Sequence, residues 1–173
     1  MEAALAGVRA SWSANDLAAT FLLANEGAQV QGGDRFIQST AHGHVRFPTF
    51  GQQFMWVDAH AIHTFGGTLL PQRWAYLGGA GTIITMDELE MGGDELLYVE
   101  SNYFIPFPNF DLPLLGPPSL TIRHAIGSAG VGHLPRFEQN LSLRAALSFA
   151  RFEVTLDPRT GKVESGFGLS VTR

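Results

Sequence analysis

The stretch NLSLRAALSFARFEVTL, Asn140 to Leu156, decides how the chain folds. Its first half sets Leu141, Leu143, Ala145 and Leu147 on one series of alternate positions and Asn140, Ser142 and Arg144 on the other. Its second half repeats the pattern, with Ala150, Phe152, Val154 and Leu156 against Arg151, Glu153 and Thr155. Successive side chains of a strand point to opposite faces, so a period of two gives each half one apolar and one polar face.

The same period recurs outward from this stretch. From Phe36 to Phe47, Ile37, Ala41, Val45 and Phe47 alternate with Gln38, Thr40, His42, His44 and Arg46. From Gln53 to Phe65, Met55, Val57, Ala59, Ala61 and Phe65 alternate with Trp56, Asp58 and His60. The closing segment sets Val163, Phe167, Leu169 and Val171 against Glu164, Gly166, Gly168, Ser170 and Thr172. Turn signals rich in Gly, Pro, Asn and Asp separate the runs: SAND from Ser13, EGAQVQGGD from Glu26, FPTFGQ from Phe47, PNFDLPLLGPP from Pro108 and DPRTGK from Asp157. The sum is about eight or nine antiparallel strands and no helix, in a single domain over residues 1–173.

Bulk composition narrows the function classes. The chain carries a net charge of -5, and its 11 Lys and Arg are scattered, which excludes the clustered cations of a nucleic-acid surface. Without cysteine there is no disulfide framework, thiolate metal site or cysteine nucleophile. Only 16% of residues are charged, against the roughly 25% usual in a soluble domain. Met1 to Trp12 does not read as an export signal, since Glu2 stands where a cationic segment belongs and Arg9 breaks the apolar run. No apolar run approaches the ~18 residues of a transmembrane helix. A transmembrane β-barrel is compatible, because its alternating strands average to a mean hydropathy near zero, here +0.07.

Alternation alone also fits a soluble sandwich or a lipocalin-like module for a small ligand, whose strands turn one face to a core. Side-chain size favours the barrel. Small and charged groups (Gly166, Gly168, Ser170, Ser142, Thr155) line the polar faces, as in a watery lumen, and Trp12, Phe47, Trp56, Phe65, Trp74 and Tyr103 gather near strand ends, as in interfacial girdles.

One connection is long. Residues 66–94 hold LGGAGT (Leu77, Gly78, Gly79, Gly81, Thr82), then Ile84 and an acidic run, before GGDELLYVESNYFIPFP resumes alternation. The LGG box with FIPFP resembles the C-terminal part of the bacterial surface antigen barrel, in the outer-membrane assembly factor superfamily that includes BamA, TamA and patatin-fused barrels. The resemblance covers about Leu70 to Arg173. It implies a long loop folded back into a barrel lumen, a bacterial outer-membrane location, lipid as the surrounding partner, and a role in inserting or translocating unfolded outer-membrane proteins. The family's barrels have about sixteen strands, so the resemblance also implies a fragment completed by an N-terminal half, a pairing chain, or a smaller barrel closed by itself.

The chain departs from the family where the loop tip usually carries an arginine paired with a glutamate and an aspartate on the following strands. Ile84, Asn102 and Ser128 occupy those positions. Joint loss is physically reasonable, because removing one member of a buried ion pair costs several kcal/mol while replacing all members can be nearly neutral. The expectation is a loop held in the lumen by apolar packing and hydrogen bonds.

Other chemistry is weaker. His42, His44, Asp58 and His60 form the one candidate metal constellation, read first as a row of polar lumen-facing groups, so no metal or other cofactor is assigned. Asp87, Glu88, Glu90, Asp94 and Glu95 lack an apolar pocket that would split their pKa values, and GGAG at Gly78 has no following lysine or helix. No catalytic residue is nominated. The expected molecule is a non-enzymatic antiparallel transmembrane β-barrel or half-barrel with a lumen-directed loop.

Overall fold

The computed structural model describes residues 2–29, 35–67, 69, 71–110 and 116–169, with side chains from residue 4 onward. Met1, Thr68, Leu70, the parts of the EGAQVQGGD and PNFDLPLLGPP signals at 30–34 and 111–115, and the end of the closing segment at 170–173 lie outside the described residues. The chain is all-β and antiparallel. Its strands are β1 (Glu2–Ala14), β2 (Leu17–Gln29), β3 (Arg35–Pro48), β4 (Phe54–Gly66), β5 (Ala75–Leu77), β6 (Met91–Gly93), β7 (Glu95–Pro106), β8 (Ser119–Gly130), β9 (Glu138–Ala146), β10 (Ala150–Leu156) and β11 (Val163–Leu169). The described helical content is one 3-10 turn, Pro71–Arg73. No described helix is long and apolar enough to cross a membrane.

Nine strands form one sheet in the order β1-β2-β3-β4-β7-β8-β9-β10-β11, and β5 and β6 pair separately. Each neighbour follows its predecessor in the chain except across the β4–β7 connection, and every pair is antiparallel. The reason is local: short, turn-forming links join strands at both ends, and sequential strands joined this way pair with each other. At Asn15 and Asp16 both φ values are positive, 46° and 68°, the left-handed pair of a two-residue hairpin turn that Asn and Asp tolerate best. β2 continues to Gln29, so the first part of the glycine-rich signal from Glu26 is strand.

The two faces of the sheet are inverted relative to a soluble protein. Asn102, Arg123, Asn140, Ser142 and Thr155 are buried on one face. On the opposite face of β8 to β11, Ile122, Leu141, Leu143 (50% exposed), Phe152, Val154 and Phe167 (69% exposed) face outward uncovered. A soluble sandwich buries the aliphatic face against a second layer, and here the aliphatic face is the bare one. On β7 that face runs Leu97, Val99, Ser101, Tyr103, Ile105. The stretch 97–105 spans about 26 Å at ~3.3 Å per residue, or about 20 Å with the strand tilted by ~40°. Ser101 and His124, register neighbours on β7 and β8, interrupt the belt.

Candidate functional site

The connection between β4 and β7 lies on the polar face of the sheet. At its start Leu69 is buried with Ala28 of β2 and Phe36 of β3, and Trp74 packs on this cluster. Arg73 pairs with Glu26 of β2 at 2.6 Å and lies over the Phe36 ring. Leu77 then enters a second cluster with Leu96 of β7 and Ala129 of β8. These two apolar anchors carry the chain from one flank of the sheet to its centre.

Glycines turn it there. Gly78 and Gly79 have φ of 121° and 79°, values that side chains rarely adopt, and a Cβ on Gly78 would collide with the carbonyl oxygen of Asp87. The Gly78 amide donates to Thr82 Oγ1 at 2.7 Å, and the Gly79 amide donates to the Met86 carbonyl at 3.0 Å, closing residues 79–86 into a compact tip. Gly81 has open space at its Cβ position. Farther on, a Cβ on Gly93 would collide with the backbone of Gly130, and one on Gly130 would collide with His133 and Pro135.

The tip is fastened to the sheet by polar contacts at its carbonyls. Arg123 of β8, 3% exposed, donates from Nη2 to the Thr82 carbonyl at 2.7 Å, and the same nitrogen contacts Glu100 Oε2 of β7 at 2.7 Å. The Tyr98 hydroxyl and Asn102 Nδ2 donate to Glu100 at 2.6 and 2.8 Å. One residue past the fully buried Ile83, the side of the tip opens into a cavity of about 230 Å3. Ala80 and Ile84 line it with Arg144, Glu153 and Glu164. Thr85 then meets β9: its amide donates to Asn140 Oδ1 at 3.1 Å, and Asn140 Nδ2 donates to Thr85 Oγ1 at 2.6 Å. From the β10–β11 turn, Lys162 Nζ donates to the Thr85 carbonyl at 2.6 Å and pairs with Glu164 at 3.0 Å. Cations therefore reach the loop from the sheet, where the resemblance places one on the loop.

Of the residues singled out from sequence, Leu77, Gly78, Gly79 and Thr82 come together in this site. Ile84 is at the cavity wall, and its neighbour Ile83 is the buried apolar contact. Asn102 lies on the polar face but bonds to Glu100, and no loop group is among its hydrogen-bond partners. Ser128 is corrected outright as a lumen partner. Alternation along β8 puts it on the face opposite Arg123, where its hydroxyl donates to the Pro135 carbonyl at 3.0 Å. The pairing of Arg123 with Glu100 also corrects the expectation that no ionic group clasps the loop.

His42, His44, Asp58 and His60 do meet across β3 and β4, as their register partners His42–His60 and His44–Asp58 require. His44 Nδ1 hydrogen-bonds Asp58 at 2.7 Å, His42 stands 3.9 Å from the same oxygen, and the His42 and His60 rings pack edge to face. Among the described residues no group of three or more such side chains is arranged to hold a metal ion.

Sequence reasoning missed Arg123, Glu100, Asn140, Thr85 and Lys162. A signal existed for three of them: Glu100, Arg123 and Asn140 fall on the polar positions of successive strands, and counting register through the meander brings that row under the loop. No family model matches the chain, and no curated protein does.

Proposed function

We propose that this chain forms part of the wall of a transmembrane β-barrel in a bacterial outer membrane, of the surface-antigen type, with the described residues of the 66–94 loop seated on the lumen side. The observation that carries the reading is the inversion of the faces: polar side chains buried under the loop, aliphatic and aromatic ones bare. A bare belt of this kind costs about 25 cal/mol per Å2 in water and nothing comparable against lipid tails. The span of the belt, about 20 Å after tilt, is near the ~25 Å apolar band of outer-membrane barrels. The resemblance of the LGG box and FIPFP adds the direction of the loop. It also suggests a non-enzymatic part in inserting or translocating unfolded outer-membrane proteins.

Refolding tests the reading. Diluted from urea into detergent micelles or short-chain lipid vesicles, the chain is expected to gain β-structure and a heat-modifiable gel band, and to aggregate when diluted into buffer alone. A monomer that folds cooperatively in plain buffer contradicts the membrane reading and favours a soluble binding module.

A further inference from the structure

We propose that Ser101, His124 and Gln139 form a serine-nucleophile site on the outward face of the sheet, with a carboxylic ester of a membrane lipid as its substrate. The inference rests on the membrane reading above and adds a chemistry which that reading does not contain.

The three residues share one face. On β7, β8 and β9 they alternate with Asn102, Arg123 and Asn140, which are buried on the polar face. Around them the outward face carries Val99, Tyr103, Ile122, Ile126 and Leu141, none of them charged. A wall that only meets hydrocarbon gains nothing from a serine, an imidazole and an amide side by side, because each gives up its hydrogen bonds to water there. On β9 the apolar belt begins at Leu141, the next outward residue after Gln139, close to the start of the strand. The group therefore reaches the margin of the wall, where lipid ester carbonyls and water meet.

Their arrangement is that of nucleophile, base and orienting group. His124 Nε2 lies 3.3 Å from Gln139 Oε1. An amide oxygen only accepts, so Nε2 carries the proton of the neutral ring and Nδ1 keeps a free lone pair. Among the described residues Nδ1 has no hydrogen-bond partner, and neither has the Ser101 hydroxyl. Ser101 and His124 are direct register partners across β7 and β8. Residues so placed have Cβ atoms about 5 Å apart, so rotation about χ1 brings the hydroxyl to the ring. Such pairs commonly close only when substrate binds.

The reaction needs no reagent beyond water. Ser101 Oγ bonds to the ester carbonyl carbon as His124 Nδ1 takes the hydroxyl proton. The bond from that carbon to the lipid alcohol oxygen then breaks, and His124 returns the proton to the departing oxygen. Water attacks the acyl-Ser101 ester in the same way, giving its proton through His124 to Ser101 and releasing the fatty acid. Ser101 and His124 are the catalytic residues, and Gln139 is a positioning residue.

The test uses the whole chain refolded in lauryldimethylamine-oxide micelles. The first probe is a fluorophosphonate, which loses fluoride as a serine oxygen bonds its phosphorus, and peptide mass spectrometry locates the label. Ser165 of β11 is the internal control, an exposed serine on the same face whose register partner is Val154. Expected is labelling of Ser101 at least ~100-fold faster than of Ser165, falling about 100-fold in His124→Ala. Gln139→Leu should slow it severalfold, and Gln139→Glu, which keeps an acceptor oxygen, should restore it; a packing role would be served by leucine. The second probe, dioctanoylphosphatidylcholine, should release fatty acid with the parent and not with Ser101→Ala. Equal labelling of Ser101 and Ser165, labelling indifferent to His124→Ala, or no fatty acid released overturns the proposal. Failure of the membrane reading is distinct, since the chain would then fold in plain buffer before any probe is added.

Discussion

Arg123 concentrates the residue-scale chemistry. Its guanidinium is almost fully buried, and one nitrogen serves the Glu100 carboxylate and the Thr82 carbonyl together. Breaking a buried pair from one side strands the other charge, at about 3–5 kcal/mol, while removing both members costs much less. Arg123→Met is therefore expected to lower the unfolding free energy of the refolded protein by about 3 kcal/mol. Adding Glu100→Gln to it should recover at least about 1 kcal/mol, since the carboxylate left behind is the larger cost. Urea titrations of the two single variants and the double variant give the coupling. Strict additivity would mean that the contact between them is without consequence. Sequence reasoning attached no role to Arg123, because a lone arginine in the sequence looks like any solvated polar position. What gives it a role is the loop carbonyl above it, a contact 41 residues away in the chain.

At the scale of elements, the turns were legible and the docking of the long connection was legible in part. SAND, FPTFGQ and DPRTGK each carry residues whose backbone preferences specify a reversal whatever the surroundings. The return of the loop tip depends on Gly78 and Gly79, and the sequence marked both, with Gly81 besides. Their contributions differ. Gly78→Ala must adopt a φ costing about 1–2 kcal/mol and must also displace the Asp87 carbonyl, so a loss of at least ~2 kcal/mol is expected. Gly81→Ala meets nothing within 4 Å and should stay within about 0.5 kcal/mol of the parent. Melting curves with limited proteolysis inside 79–90 distinguish them, and equal effects would show that the backbone at Gly78 is not the constraint.

The β10–β11 turn adds a pH dependence. The Asp157 carboxylate accepts from the Thr160 hydroxyl at 2.6 Å and from the Arg159 and Thr160 amides, and these donors, the hydroxyl foremost, hold its pKa below the ordinary value. A depressed folded-state pKa means stabilisation that is complete above the unfolded value, ~3.9, and is lost as pH falls through the folded one. The protection factor of the Gly161 amide, bonded to the Asp157 carbonyl at 2.9 Å, should drop below about pH 4 in the parent. In Asp157→Asn that drop should be absent. An unchanged acid profile in the variant would assign the loss to other groups.

For the whole molecule, period two settled strand content and the two-faced sheet, but it was silent on which face is inside. A soluble sandwich and a lipid-facing wall share the same alternation and differ only in what covers the aliphatic side. In the fold Asn140 and Ser142 are buried and Leu141 and Leu143 are bare, adjacent residues of one strand. The metal constellation and the lumen partners were less legible, since strand register and face, not residue type, determine which groups meet.

Quenching by brominated lipid tests this inversion most directly, with a small fluorophore attached in turn at Phe167→Cys and Gly166→Cys of the vesicle-refolded chain. The adjacent positions of β11 lie on opposite faces. Strong quenching at 167 and little at 166 is the predicted result; equal quenching at both, or the reverse order, would contradict a sheet whose aliphatic face meets lipid.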